Sequence, residues 1–510
     1  MYSPLISACE VGNESIVTLL IGSGANVHKT THDSSPLISA CKGGNESIVT
    51  LLINKGANVN KTLDDSSPLI SACKGVNESI VTLLIETGAN VNTTTYRHSP
   101  LTAACKGGNK SIATLLIDRG ADLDQTTYRH SPLTAACKSG NKSIVTLLID
   151  RGADVNQTTL RHSPLTAACK GGNKSIVNLL IDKGADVNQS IYRHSPLTAA
   201  CKGGNKSIVS LLIDTGADVN QPTYRHSPLT AACKDGNKSI VNLLIDTGAD
   251  VNQPTYRHSP LTAACKGGNK SIVNLLIDKG ADVNQPKHRH SPLTAACKGG
   301  NISIVNLLME KGADLSQTTY RHSPLTAACK GGNESIVNLL IDKGADVTQP
   351  NYRHSPLTAA CKGGNKSIVN LLIDKGADVN RSIHRHSPLT AACKGGNKSI
   401  VTLLIDKGAD LNQTTYRHSP LSAACKYGNN SLVLFLIDKG ANLDQATCRY
   451  SPLTAACKGG NESTVSLLIN AGADLNQATY IHSPLTTSCA CKKELILSLL
   501  IDKGANLNSE

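Results

Sequence analysis

The sequence lacks tryptophan and has a single phenylalanine among its 510 residues, so aromatic side chains make up 3% of the chain. Its apolar content comes from Leu, Ile, Val, Ala and Cys, which indicates a thin core of small aliphatic side chains. The sequence also lacks a stretch of about 18 apolar residues and a basic, apolar N-terminal leader, which argues against a membrane span and a secretory signal. We therefore expect a cytoplasmic chain, with the nucleus as the alternative.

Motifs that carry chemistry are missing as well. We find no glycine-rich phosphate loop, no G-x-S-x-G turn and no clustered metal ligands. Catalysis needs one convergent set of groups, whereas any candidate group here recurs about a dozen times at regular spacing. The sequence therefore predicts neither an enzyme nor a chain that holds a cofactor or a metal.

Repetition is the main feature that is present. A Ser-Pro-Leu triplet begins at Ser3, Ser35 and Ser67 and recurs every 32 residues to Ser483, which gives sixteen repeats without insertion or deletion. A fixed period of about 20 to 50 residues is the signature of stacked units that each contact only their neighbours. We therefore predict one continuous array over residues 1–510 rather than three or four globular domains.

The repeat that begins at Ser195 illustrates the local pattern: SPLTAACKGGNKSIVSLLIDTGADVNQPTYRH. Ser195 is suited to cap a short helix that begins with Pro196, since proline lacks only an amide that would be unbonded there. Asn205 is suited to cap a second helix, and Gly216 supplies the residue after its end. Residues 217–226 fit an extended, hairpin-like connector. The apolar helix positions are Leu197, Ala199, Ala200, Cys201, Ile208, Val209, Leu211, Leu212 and Ile213.

This repeat resembles the ankyrin repeat, whose pattern runs T-P-L-H-x-A-A, G-H, I-V-x-L-L-L and G-A-D-V-N. Differences include a serine for the leading threonine, Thr198 for the histidine and a connector that is one residue shorter. The resemblance covers the whole chain and implies an all-α solenoid of antiparallel helix pairs with projecting hairpins. It further implies that the shorter first helices line a concave inner face, which binds partners.

The last repeat, 483–510, differs from the others. Thr487 and Ser488 replace alanines, and Lys492, Lys493 and Glu494 replace the residues at and just after the glycine turn. A terminal repeat with a more polar outer face is typical of a cap. We predict that this repeat is the C-terminal cap of the array.

Sixteen of the eighteen cysteines, from Cys9 to Cys489, occupy one position of the first helix. Packed helices lie ~8 to 10 Å apart, whereas a disulfide needs Cα atoms within ~7 Å, so we predict reduced, buried thiols. The two others, Cys448 and Cys491, fall in a loop and a turn and are the predicted reactive thiols. His98 and Cys105 are seven residues apart, which is a weak zinc pattern because the cysteine faces inward.

Asparagines recur at two positions. Asn109 belongs to an Asn-x-Ser pattern, which helix capping explains better than glycosylation. Asparagines of the GADVN segment, such as Asn156 and Asn220, resemble substrates of the hydroxylases that act on ankyrin repeats. We favour a structural role for them and keep hydroxylation as the alternative.

Basic residues form a repeated stripe. Twelve successive connectors end in arginine, from Arg97 to Arg449, eleven of these are followed by histidine, and a lysine follows the buried cysteine from Lys42 to Lys458. A solvated surface copied by duplication would give the same pattern, and a net charge of +13 is modest for this length. The candidate partner contacts are Arg193, Arg225, Arg257, Arg289, His194, His226, His258, His290, Lys202, Lys234, Lys266 and Lys298.

Together these features favour a monomeric scaffold that binds a protein partner, with an acidic segment as the candidate ligand. Unperturbed histidines titrate near pH ~6.5, so we expect those of the stripe to gain charge on mild acidification. The alternative is a nucleic-acid binder that uses Tyr-Arg-His tips for stacking and phosphate contacts.

Overall fold

The computed structural model describes residues 3–32, 34–128, 130–160, 162–190, 194–221, 223, 226–253, 255, 258–285, 290–317, 322–348, 354–382, 386–416, 418–477 and 483–506. In these ranges each repeat contributes two short helices, and none of the described residues belongs to a β-strand. The all-α class predicted from the sequence is therefore confirmed.

The first compact unit spans Met1–Thr255. Odd-numbered helices are the first, or inner, helix of each repeat, and even-numbered ones are the second, or outer, helix. The unit contains α1 (Pro4–Val11), α2 (Glu14–Gly22), α3 (Pro36–Gly43), α4 (Glu46–Asn54), α5 (Pro68–Gly75), α6 (Glu78–Glu86), α7 (Pro100–Gly107), α8 (Lys110–Asp118), α9 (Pro132–Ser139), α10 (Lys142–Asp150), α11 (Pro164–Gly171), α12 (Lys174–Asp182), α13 (Pro196–Gly203), α14 (Lys206–Asp214), α15 (Pro228–Asp235) and α16 (Lys238–Asp246).

The second compact unit spans Tyr256–Glu510 and has the same alternation of inner and outer helices. It contains α17 (Pro260–Gly267), α18 (Lys270–Asp278), α19 (Pro292–Gly299), α20 (Ile302–Glu310), α21 (Pro324–Gly331), α22 (Glu334–Asp342), α23 (Pro356–Gly363), α24 (Lys366–Asp374), α25 (Pro388–Gly395), α26 (Lys398–Asp406), α27 (Pro420–Lys426), α28 (Asn430–Asp438), α29 (Pro452–Gly459), α30 (Glu462–Asn470), α31 (Pro484–Ala490) and α32 (Glu494–Asp502).

Most inner helices start at a serine cap and end at a glycine, as the sequence predicts; the exceptions are α1, where Ser3 makes no cap bond, and α5, α27 and α31, which do not end at glycine. In α13, Ser195 Oγ accepts a hydrogen bond from the Thr198 amide at 3.2 Å, which satisfies one of the unbonded amides of the first turn. Ser195 Oγ also donates to Thr198 Oγ1 at 2.9 Å, so the threonine that replaces the usual histidine takes part in the cap. Gly204 ends the helix with φ 74°, a left-handed conformation that favours glycine.

The cap predicted for the outer helix forms only in part. Asn109 Oδ1 accepts from the Ile112 amide at 3.0 Å, whereas Asn205 makes no side-chain cap bond. A side chain placed on Gly172 would collide with Asn205 Nδ2 of the next repeat. The asparagine therefore packs against the glycine turn of the preceding repeat. This contact requires glycine in one repeat and asparagine at the matching position of the next.

Small side chains let the inner helices stack closely. In α13, Ala200 and Cys201 are fully buried, and this helix packs against α11 and α15. Fifteen of the sixteen cysteines at this position are buried, as predicted. The prediction is wrong for Cys489, which is exposed in α31, the last inner helix among the described residues. Cys448 is exposed and Cys491 is half-buried, so both are accessible.

The connectors form tight hairpins wherever they are described. The Thr127 amide donates to the His130 carbonyl at 3.0 Å, and Thr127 Oγ1 donates to the same oxygen at 2.8 Å. The His130 amide donates back to Thr127 Oγ1 at 3.2 Å. Threonine thus closes the hairpin, and Tyr128 lies at its tip.

Where the segment ends in asparagine, as in GADVN, that asparagine bonds to the next repeat in the described junctions. Asn188 Nδ2 donates to the Gly216 carbonyl at 3.0 Å, and Asn188 Oδ1 accepts from the Asp218 amide at 2.8 Å. Asn156 makes the same pair of bonds one repeat earlier, and Asn220 donates to Gly248. The structural role favoured for these asparagines is confirmed.

Replacing Asn188 with alanine should loosen this junction. Because one hydrogen bond is worth about 1 kcal/mol, we expect the Asp218 amide to exchange several-fold faster with solvent deuterium. The matched control is Ser316→Ala, since Ser316 occupies the same position and bonds to Asp314 of its own repeat. Unchanged exchange at Asp218 in the Asn188 variant would refute the inter-repeat role.

Thiol labelling should divide the cysteines into two groups. Burial raises the pKa of thiols such as Cys201 and thus withholds the reactive thiolate. Under native conditions we expect a maleimide to label Cys448, Cys489 and Cys491 quickly and the fifteen others only after denaturation, as read by mass spectrometry. A variant with serine at the three accessible positions should stay unlabelled, and rapid native labelling of that variant would contradict the packing.

Candidate partner-binding face

A row of lysines follows the inner helices. In repeats two to fifteen a lysine comes directly after the buried cysteine, at the C-terminal turn of the helix. Twelve of these side chains are exposed, and Lys394 and Lys426 are half-buried. We call this set the lysine row: Lys42, Lys74, Lys106, Lys138, Lys170, Lys202, Lys234, Lys266, Lys298, Lys330, Lys362, Lys394, Lys426 and Lys458.

Carboxylates are scarce along the row. Of the inner helices, α1 contains Glu10 and α15 contains Asp235, and the others contain no acidic residue. Glu10 occupies the position that lysine takes in the next repeat and pairs with Lys42 at 2.7 Å. Most outer helices instead end in aspartate, as in the pair Arg151–Asp118 at 2.7 Å. Acidic side chains are therefore concentrated at the outer helices, where basic side chains also occur, whereas the charged residues of the inner helices are almost all lysine.

The hairpin tips lie beside the row. Arg97 Nε pairs with Asp65 Oδ2 at 3.2 Å, and Lys74 Nζ donates to the Asp65 carbonyl at 3.2 Å. The hairpin tip and the inner helix of the third repeat thus meet at Asp65, which belongs to the preceding repeat. The exposed rings of Tyr96 and Tyr128 stack with centroids 4.6 Å apart.

The structure places the predicted lysines, histidines and arginines in different environments. Lys202, Lys234, Lys266 and Lys298 are exposed members of the lysine row, the first two in one unit and the last two in the other. Among the histidines, His194, His258 and His290 are buried, and His226 is half-buried. The four arginines lie outside the described residues: Arg193, Arg225, Arg257 and Arg289.

The histidines form stacked columns beneath the row. In the second unit, His258, His290, His322, His354 and His386 follow one another with ring centroids 5.5 to 6.3 Å apart and nearly parallel planes. We call these five residues the histidine column. The repeat period positions each imidazole between its neighbours, just before the serine cap of the next inner helix.

The histidines were expected to titrate near pH ~6.5, and this expectation is wrong for His290 and His98. Burial lowers the pKa of His290 to about 3, and the nearby charges of Lys298, His258, His322 and Lys266 lower it further. In the first unit, burial lowers the pKa of His98 to about 4, with Lys74 and Lys106 contributing. The sequence suggested exposed imidazoles because they adjoin arginine. Packing between repeats makes them neutral instead.

Two tyrosines in the second unit were missed by the sequence reasoning. Lys394 and Lys426 lie over the ring of Tyr427, and Lys426 and Lys458 lie over the ring of Tyr450. The sequence could have indicated these two residues, because each tyrosine departs from the residue that other repeats have at its position. Tyr427 replaces a glycine and Tyr450 replaces the histidine.

No metal-binding group of three or more His, Cys, Asp or Glu side chains occurs among the described residues. In the same part of the chain, no helix has both the length and the apolar character needed to span a membrane.

Acid should weaken the fold through the histidine column. An unfolded histidine binds a proton below pH ~6.5, whereas folded His290 does so near pH 3, so stability is present above about 6.5 and is lost as the pH falls toward 3. We expect the urea midpoint to drop between about pH 7 and about pH 4.5, and to drop less in His290→Gln/His354→Gln. Exposed His28→Gln is the control, and equal drops in all three proteins would refute the assignment.

Comparisons with known proteins agree with this architecture. The family model for ankyrin repeats (3 copies) matches at residues 5–95, 92–159, 165–255, 229–319, 296–383, 381–447 and 421–510. A solved structure of the human ASB11 ankyrin repeat domain is similar at 29% identity, covering 42% of this chain and 99% of that chain, with a TM-score of 0.37. Among curated proteins, no significant match was found. The family match extends over nearly the entire sequence, and the chain belongs to the ankyrin repeat family.

Proposed function

We propose that the chain is a non-catalytic scaffold that binds a protein partner, and that it holds an extended acidic segment of this partner along the part of the lysine row that lies within one unit. Ankyrin repeats are generally protein-interaction modules. The observation that carries the proposal is the lysine row itself, with an ammonium group at the same inner-helix position in fourteen successive repeats. A segment with regularly spaced carboxylates would complement such a row.

The distribution of acidic residues supports this partner class. Inner helices present lysine with almost no acid, whereas the outer helices mix acidic and basic side chains. An acidic segment would thus meet fewer competing carboxylates along the inner helices than along the outer helices. The described contact between Arg97 and Asp65 is consistent with arginines of the hairpin tips adding to the row. Arg193, Arg225, Arg257 and Arg289 are proposed contacts of this kind.

The histidines were expected to contact the partner, but in this proposal they have a structural role instead. Because His290 and its neighbours are buried in the column, we assign them a structural role beneath the lysines. The charge that the partner meets then comes from Lys202 and Lys234 in one unit and Lys266 and Lys298 in the other. Mild acidification would leave that charge unchanged.

Affinity would come from many weak contacts. An exposed ion pair contributes only ~0.2 to 1 kcal/mol, so a useful affinity requires several repeats to bind at once. Salt at about 0.15 M shortens the screening length to about 8 Å, which is comparable to one repeat step. Binding should therefore weaken steeply as salt is added.

The test compares two charge reversals in the second unit. The probe is a fluorescent peptide with a glutamate at every third residue, and its binding is measured by anisotropy over a salt series. The test variant replaces Lys266, Lys298, Lys330 and Lys362 with glutamate. The matched control replaces Lys279, Lys311, Lys343 and Lys375, which are exposed at the ends of the outer helices α18, α20, α22 and α24.

We expect the test variant to lose at least tenfold in affinity, because four contacts of ~0.5 kcal/mol are each replaced by repulsion. The control should change affinity far less and keep the salt dependence. Equal losses in the two variants would move the binding surface away from the lysine row. A single-stranded oligonucleotide that binds more tightly than the peptide at equal salt would favour the nucleic-acid alternative.

A further inference from the structure

Repeat fourteen carries two aromatic substitutions beside the lysine row, and they contact lysines of repeats thirteen to fifteen. Tyr427 follows Lys426 at a position that is glycine in both neighbouring repeats, Gly395 and Gly459. Tyr450 takes the position that His418 holds one repeat earlier. The ring of Tyr427 is half exposed, whereas Tyr450 is 4% exposed. The regular surface of the array is thus altered at one place in the second unit.

The two rings hold three consecutive lysines of the row. Lys394 Nζ lies 5.5 Å and Lys426 Nζ 5.9 Å from the Tyr427 centroid. Lys426 Nζ also lies 5.7 Å from the Tyr450 centroid, and Lys458 Nζ lies 4.7 Å from it. Lys458 Nζ donates a hydrogen bond to the Tyr450 hydroxyl. We call these five residues the lysine–tyrosine cluster.

This arrangement favours anion binding in two ways. A lysine held over a ring has lost part of its rotational freedom before a ligand arrives, so less entropy is lost on binding. Lys394 and Lys426 are half-buried, unlike the exposed lysines of the regular repeats. Partial removal of water lowers the local dielectric constant and strengthens the attraction for a carboxylate. The inner helices α25, α27 and α29 contain no acidic residue that would compete.

The spacing indicates an extended ligand rather than a single anion. Lys394 and Lys426 each lie within 6 Å of the same centroid, so their ammonium groups are at most about 12 Å apart. Inner helices that pack side by side repeat at ~8 to 10 Å. An extended chain advances ~3.3 Å per residue, so three residues cover one repeat step. Carboxylates at every third residue of an extended segment would therefore match successive lysines.

The ring environment favours a peptide over nucleic acid. Bases bind single-stranded sites by stacking on open aromatic faces. Tyr450 stacks on His418 with centroids 5.7 Å apart and has Lys458 over its ring. Tyr427 likewise has Lys394 and Lys426 over its ring. A base would have to displace these groups, whereas a carboxylate would bind to the ammonium groups where they are.

We propose that the lysine–tyrosine cluster is the principal docking point of the lysine row, and that it takes an extended partner segment with acidic residues at every third position. The inference rests on the proposed scaffold function and adds a location and a spacing to it. The cluster binds more tightly than an equal number of lysines elsewhere in the same unit, since the tyrosines preorganise its ammonium groups.

The experiment uses the full chain and a fluorescent peptide with a glutamate at every third residue. The cluster variant replaces Lys394, Lys426 and Lys458 with glutamine. The matched control replaces Lys298, Lys330 and Lys362 of regular repeats in the same unit with glutamine. A third variant, Tyr427→Gly/Tyr450→His, returns both positions to the residues of neighbouring repeats. These residues are already accommodated by the fold, so this variant keeps all lysines and should fold normally.

We expect the cluster variant to lose about tenfold in affinity, the control to lose about threefold or less, and the tyrosine variant to fall between them. A peptide with the same number of glutamates in one block should bind more weakly than the spaced peptide. Equal losses in the two lysine variants, or no loss in the tyrosine variant, would overturn the docking point and leave the scaffold proposal standing. No salt-sensitive binding of either peptide to the unaltered chain would overturn both proposals. Tighter binding of a single-stranded oligonucleotide would assign the cluster to nucleic acid.

Discussion

Close packing of the inner helices through alanine and cysteine is the constraint on which the rest of the structure depends. Ala200 and Cys201 are fully buried at the contact between repeats, and larger side chains there would push the helices apart. This packing fixes the step from one repeat to the next. The asparagine bonds between successive GADVN segments reach across that same step. The spacing of the surface residues from one repeat to the next therefore depends on buried alanine and cysteine side chains.

The regular spacing of the repeats places polar side chains in layers that differ in exposure and charge. Lysines at the ends of the inner helices reach solvent, whereas the histidines beneath them stack and stay neutral. Neutral histidines are compatible with the nearby lysines, because protonated histidines would repel the lysine ammonium groups. Aspartates at the outer helices balance part of the total charge away from the row. The buried histidines thus add no positive charge to the basic face under mild conditions.

The sequence was sufficient for features that depend on one repeat and was insufficient for those that depend on neighbours. The serine caps, the glycine ends and the buried cysteines follow from local rules and recur as predicted. Exposed Cys489 has the same position within its repeat as its buried counterparts, so a rule based on one repeat did not reveal its exposure. His290 looked like a surface residue beside arginine, but packing between repeats buries it. The contact of Lys394 with Tyr427 joins residues from adjacent repeats, and no pattern within one repeat reveals it.

The asparagine junction has a consequence for how such a chain can change its length. Asn188 bonds to backbone groups of Gly216 and Asp218, so the junction requires a particular backbone shape in the next repeat and no particular side chain there. Within one unit, a repeat that is removed or duplicated as a whole leaves two ends that still fit each other. Recombination in steps of whole repeats would therefore be structurally neutral, whereas a shift of a few residues would break every junction it crosses.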